Sequence, residues 1–146
     1  MNSPFKQQEL VSDSVEATER FAAEVAAELA PGNIVLLSGE LGSGKTAFVR
    51  GAVRALGVEG PVTSPTYAIG NVYAGARGEI AHLDLYRLDA ISIDDEAVTD
   101  DFLTPERIAF VEWPHGELTG NERLRAIVEL THVGEHERRI AVRWKR

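Results

Sequence analysis

The stretch Leu36-Leu37-Ser38-Gly39-Glu40-Leu41-Gly42-Ser43-Gly44-Lys45-Thr46-Ala47-Phe48 decides the fold. It reads as an apolar strand, a glycine-rich turn and the start of a helix. From Gly39 to Thr46 the turn spells G-x-x-x-x-G-K-[ST] in full, the pattern of a phosphate-cradling loop. Gly39, Gly42 and Gly44 can adopt backbone angles closed to residues with side chains, so successive N–H groups can converge on an anion. A helix starting at Lys45 adds its unpaired N–H groups and the positive end of its dipole. Lys45 would reach the β- and γ-phosphates, and the Thr46 hydroxyl would meet Mg²⁺. The expected nucleotide site runs through Gly39, Glu40, Leu41, Gly42, Ser43, Gly44, Lys45, Thr46 and Ala47. The plain alternative, a tight turn before an ordinary surface lysine, does not account for the strand before the turn and the helix after it.

Outward from the loop, Ile34 to Ser38 is a short apolar run, as in a strand covered on both faces. Phe48, Val49, Ala52, Val53 and Leu56 mark a helix, and Gly57 suits its C′ position. Upstream, Asp13-Ser14-Val15-Glu16 predicts a helix start with Asp13 as cap and Glu16 reaching back. Val15, Phe21, Ala22, Val25 and Leu29 keep helical spacing until Ala30-Pro31-Gly32. Downstream, a strand from Tyr67 to Tyr73, a turn at Gly75-Ala76-Arg77-Gly78 and a strand from Ile80 to Leu85 predict a hairpin. Ser92 to Leu103 predicts a short acidic helix, broken by Thr104-Pro105. Ile108 to Val111 is a second buried-type strand, ending at Glu112-Trp113-Pro114. Leu124 to Leu130 and Arg139 to Trp144, separated by Gly134, predict a closing antiparallel pair. The fold class is therefore α/β: a P-loop NTPase-like three-layer fold with a mixed central sheet and a C-terminal antiparallel pair. Neither a repeat nor a linker divides the chain, so its 146 residues read as one domain.

Composition narrows the function. Hydrophobic residues make up 44% and charged residues 26%, ordinary for a soluble globular protein. Cysteine is absent, which removes disulfides, thiolate metal sites and cysteine nucleophiles. Met1 to Glu9 has no long apolar run and no basic leader, so neither a membrane span nor a secretory signal is expected, and the cytoplasm is the default. A net charge of −8 argues against autonomous, charge-driven binding of nucleic acid. The middle is acidic, from Asp84 through Asp89, Asp94, Asp95, Glu96, Asp100 and Asp101. The tail is basic, with Arg138, Arg139, Arg143, Lys145 and Arg146. Each reads first as solvated surface and second as a place for a charged partner.

A phosphate loop alone binds; hydrolysis also needs a metal ligand and a way to position water. Glu112 stands at the carboxyl end of an apolar strand, where ligands of open α/β sheets collect, and suits a direct or water-mediated Mg²⁺ contact, the plain alternative being a carboxylate that caps a loop. Trp113 beside it reads first as a core or lid anchor. In His82-Leu83-Asp84-Leu85-Tyr86-Arg87, alternation puts His82 and Asp84 on one face. Asp84 could orient water or bind Mg²⁺ through water. His82 alone reads first as a satisfied structural histidine and second as a catalytic base. Thr63-Ser64-Pro65-Thr66-Tyr67 is either a loop that senses the γ-phosphate or an ordinary hydroxyl-capped turn.

These segments in series resemble one family, the small bacterial ATPase TsaE, also called YjeE, required for the threonylcarbamoyl adenosine modification of tRNA. The resemblance rests on Gly39 to Thr46, Thr63 to Tyr67, His82 to Leu88 and Val111-Glu112-Trp113-Pro114. It implies ATP hydrolysis to ADP in a P-loop fold, with docking onto a TsaB–TsaD pair that modifies adenosine 37, tRNA being met only through that complex. It also implies that Lys45 binds phosphate, Thr46 and Glu112 hold Mg²⁺, and Asp84 serves the catalytic or magnesium site. Thr66 then belongs to the γ-phosphate-responsive loop, Trp113 lies beside the nucleotide pocket, and Thr18 is the nearest match to a threonine at the base end. Arg87 is the in-chain candidate for an arginine finger. The chain departs from the family where an E-E-L-E-like run and a later glycine are usual, carrying Asp89 to Val98 instead, and at His115. The alternatives are a small phosphotransferase and a nucleotide-gated docking module. The N-K-x-D sequence of GTPases is absent, which favours adenine.

Overall fold

The computed structural model describes residues 5–40, 42–62, 70–84, 101–112 and 122–145. In chain order these form β1 (Phe5–Ser12), α1 (Val15–Ala26), β2 (Ile34–Gly39), α2 (Lys45–Ala55), β3 (Gly70–Gly75), β4 (Gly78–Asp84), β5 (Ile108–Glu112), β6 (Leu124–His132) and β7 (Arg138–Lys145). The strands join one seven-stranded sheet in the order β1-β7-β6-β2-β5-β4-β3. β2 runs parallel to both of its neighbours, β6 and β5, and β5 runs parallel to β4. The pairs β3/β4, β6/β7 and β1/β7 are antiparallel, so the sheet is mixed as expected. The closing pair is not a separate layer: β6 docks directly on β2 and extends the central sheet.

Burial follows from the residue pattern. Ile34, Val35, Leu36 and Leu37 are all at most 1% exposed, so β2 is covered on both faces, which is why its sequence does not alternate. Val35 and Leu37 face the helices and pack with Phe21 and Val25 of α1 and with Phe48, Ala52 and Val53 of α2. Ile34 and Leu36 face the other way and join Leu83, Val111 and Leu124, covered among the described residues by Leu103 and Phe102. Asp101 and Phe102 are helical and Leu103, expected as the helix's last residue, is not; residues 92–100 of the expected acidic helix lie outside the described residues. Among the described residues no helix is long and apolar enough to cross a membrane.

One local expectation is corrected, one strand is added, and the solvated basic tail gains partners. The cap of α1 is Ser14, not Asp13: its side chain accepts from the Ala17 N–H at 3.0 Å, one residue later than the capping box implies. A strand absent from the sequence reading, β1, pairs with β7 along its whole length. Its run Lys6-Gln7-Gln8-Glu9 is polar because an edge strand exposed to water needs no apolar alternation. The basic tail is engaged within the sheet, Arg139 with Glu9 at 3.0 Å and Arg143 with Glu129 at 3.2 Å. These pairs are exposed and add little stability, but they leave fewer cations for a partner.

Candidate functional site

β2 delivers the chain to the loop and α2 carries it away, so the loop is built between two buried elements. Gly39 has φ +155°, and a Cβ there would stand 2.5 Å from Ser43 Oγ and 2.7 Å from the Leu130 carbonyl oxygen. The loop folds back over its own first residue, and only glycine fits at the crossing. Ser43 N–H closes the turn onto the Glu40 carbonyl at 3.0 Å. The Lys45 ammonium reaches back along the loop and donates to the Gly39 carbonyl oxygen and, at 3.3 Å, to that of Glu40. α2 begins at Lys45, capped by Gly44, with no acidic residue in its first turn. Surface helices commonly place carboxylates at that end, and their absence leaves the positive end of the dipole to an anion. Ser43 is 1% exposed, and its hydroxyl has no hydrogen-bond partner among the described residues.

Arg138, expected only as part of the basic tail, joins this loop. Its Nη2 donates to the Gly42 carbonyl at 3.1 Å, and a Cβ on Gly44 would come within 3.4 Å of its Nε. The strand registers explain the encounter. Gly39 pairs with Leu130, and Leu130 pairs with Ile140, so Arg138, two residues before Ile140, stands level with the loop just beyond Gly39. A signal was present: alternation puts Arg138 on the face of Ile140 and Val142, an inward charge in a strand with an apolar inner face.

The carboxylates come together at the ends of adjacent parallel strands. Glu112 is paired in register with Leu37 of β2 on one side and Asp84 of β4 on the other. Leu37 lies just ahead of the loop, so Glu112 ends its strand beside the loop's entry. His82, Asp84 and Glu112 share the face turned towards α2, as alternation predicted for the first two. His82 Nε2 and Glu112 Oε2 are 2.8 Å apart, and the residues are 0% and 4% exposed. Thr18 is 2% exposed and its hydroxyl lies 2.7 Å from Ser12 Oγ. Leu41, Thr66 and Trp113 lie outside the described residues, as do Tyr86, Arg87 and His115.

The donors available here suit a hard divalent cation. Thr46 offers a hydroxyl at the second position of α2, and Glu112 and Asp84 offer carboxylates from the neighbouring strand ends. Among the described residues no three His, Asp or Glu side chains form a metal cage. Mg²⁺ at phosphate sites needs none, because one or two protein oxygens, substrate phosphates and water complete its shell.

Comparison with known proteins agrees with this architecture. Residues 12–140 match the family model described as threonylcarbamoyl adenosine biosynthesis protein TsaE. Among curated relatives, a tRNA threonylcarbamoyladenosine biosynthesis protein TsaE from Bacillus subtilis is 33% identical over 127 residues, 86% of this chain and 78% of that protein. The one from Synechocystis is 38% identical over 108 residues, which cover 67% of this chain and 64% of the relative. The crystal structure of YdiB from Bacillus subtilis superposes with a TM-score of 0.76 at 26% identity, covering 99% of this chain and 90% of that one.

Proposed function

The chain belongs to the TsaE family, and from that membership and the loop geometry we propose that it is a Mg²⁺-dependent ATPase serving tRNA threonylcarbamoyladenosine formation. The family brings a P-loop fold; the catalytic reading rests on the loop itself. The observation that carries it is the Lys45 ammonium, aimed along the loop at the carbonyl oxygens of Gly39 and Glu40. A triphosphate laid in the loop replaces those carbonyls as the lysine's acceptors and takes up the N–H groups at the start of α2.

Each remaining group then has a distinct task. Arg138 holds the loop by the Gly42 carbonyl and adds a positive charge beside the phosphates. Thr46 and Glu112 would hold Mg²⁺, which when bound neutralises charge on the phosphate oxygens. Asp84, beside Glu112 in register, accepts a hydrogen bond from the water that attacks the γ-phosphorus in line with the departing ADP. The site works by positioning and charge neutralisation, so turnover by the isolated chain is slow. Partners similar to TsaB and TsaD complete the working assembly, and tRNA is reached through them.

The test is tRNA modification followed through many turnovers with TsaB-like and TsaD-like partners, alongside ATP hydrolysis. Wild-type protein is expected to sustain both, and Lys45→Ala neither. Equal ATP hydrolysis by the two forms, or full modification without this chain, overturns the reading.

A further inference from the structure

Glu112 is 4% exposed at the end of a strand whose other residues are apolar, so its carboxylate needs something to fix it. His82 does so from the adjacent strand. In register His82 stands beside Phe110, and its ring reaches forward to Glu112, bringing Nε2 to 2.8 Å from Oε2. A carboxylate only accepts, so Nε2 carries the proton and donates. Oε2 is thereby occupied, and Oε1 keeps no hydrogen-bond partner among the described residues.

The packing does not call for an imidazole at this position. His82 is 0% exposed, in register between Asn71 of β3 and Phe110 of β5, and its Nδ1 has no hydrogen-bond partner among the described residues. A satisfied structural histidine, as the sequence suggested, would have both ring nitrogens engaged. An aliphatic side chain would fill the same space without burying an unmatched polar atom. The Nε2–Oε2 bond is what the ring contributes, and its effect falls on Glu112.

We propose that His82 is a positioning residue for Glu112. By pinning Oε2 it stops rotation of the carboxyl group and leaves Oε1 as the oxygen available to Mg²⁺, directly or through one of its waters. This rests on the ATPase reading above and adds to it a residue that touches neither nucleotide nor metal. Outer partners of this kind orient ligands, and their loss typically lowers metal affinity by about 10- to 100-fold.

Calorimetric titration of the full chain with ADP, in Mg²⁺ and in EDTA, separates the possibilities. Wild-type protein is expected to bind ADP more tightly in Mg²⁺. His82→Leu is expected to lose about tenfold of that Mg²⁺-dependent gain while binding ADP in EDTA within about twofold of wild type. His82→Gln, which can place an N–H against Oε2, is expected to restore most of the loss. In a Glu112→Gln background, His82→Leu is expected to change nothing further. His82→Met replaces His82→Leu if the latter does not fold. A full Mg²⁺ effect in His82→Leu overturns the proposal, and so does an equal loss of affinity with and without Mg²⁺. A wild-type protein that binds no ADP, or feels no Mg²⁺, defeats the ATPase reading itself and the proposal with it.

Discussion

Arg138 donates from Nη2 to the carbonyl oxygen of Gly42 at 3.1 Å, tying the first residue of β7 to the phosphate loop across 96 residues of chain. The bond turns that carbonyl towards the guanidinium and leaves a positive charge beside the loop. Arg138→Ala is expected to weaken ADP binding about three- to tenfold, on the order of 1 kcal/mol for a partly exposed charged contact. Arg138→Lys should recover part of this, since it keeps the charge and loses the planar fork. Titrations at low and high salt check the cause. The gap between wild type and Arg138→Ala should narrow as salt screens the charge.

The loop glycines are not equivalent. Gly39 combines φ +155° with a blocked Cβ position, 2.5 Å from Ser43 Oγ and 2.7 Å from backbone of Leu130. Gly42 has φ +77° and open space around its missing Cβ. Gly39→Ala is therefore expected to abolish ADP binding and lower stability by more than about 2 kcal/mol. Gly42→Ala carries only the left-handed backbone penalty, about 1 kcal/mol. Thermal melts and ADP titrations of the two variants should separate them clearly. Similar losses in both would show that backbone angle alone, not the crossing at Ser43, governs the loop.

Ser12 and Thr18 form a buried hydroxyl pair where β1 meets α1. Ser12 Oγ donates to the Ser14 carbonyl at 2.8 Å, so its contact with Thr18 Oγ1 at 2.7 Å takes the proton from Thr18. Thr18→Val keeps the shape and removes the donor, leaving Ser12 with its bond to Ser14. The expected cost is about 1 kcal/mol of unfolding free energy, read from urea melts. ADP affinity should stay within about twofold, because the hydroxyl faces Ser12. A tenfold loss of ADP affinity would instead put Thr18 at the base end of the nucleotide.

The legible parts of the chain are those where one local requirement dominates. β2, the loop and α2 each have a pattern that few other structures satisfy, and Gly57 ends α2 as its C′ residue with φ +90°. The hairpin turn at Ala76-Arg77 and the strand ending at Glu112 were readable for the same reason. β1 was not, because an exposed edge strand can be polar throughout and declares itself only through its partner β7. Arg138 and the His82–Glu112 bond depend on registers between strands far apart in sequence, which spacing along one chain does not encode. The alternation was visible at both; what stood opposite was not.

Gly51 stands in the middle of α2, where intrinsic helix propensity alone says that alanine would be better by about 1 kcal/mol. The packing reverses that sign. A Cβ at Gly51 would meet the backbone of Glu19 in α1, 2.5 Å from its Cα and closer still to its carbonyl oxygen. These are backbone atoms, so no side chain can turn aside; the helices themselves would have to separate. Separation would loosen Phe21 and Ala22 of α1 against Val49 and Ala52 of α2, all at most 4% exposed. Overpacking of this kind typically costs about 1–3 kcal/mol, enough to outweigh the propensity gain. Gly51→Ala is therefore expected to destabilise the fold by about 2 kcal/mol in urea or thermal unfolding. Because α2 also presents Lys45 and Thr46 from its first turn, ADP affinity should fall in the same variant. Stabilisation by Gly51→Ala would mean that the two helices are not in backbone contact at this crossing.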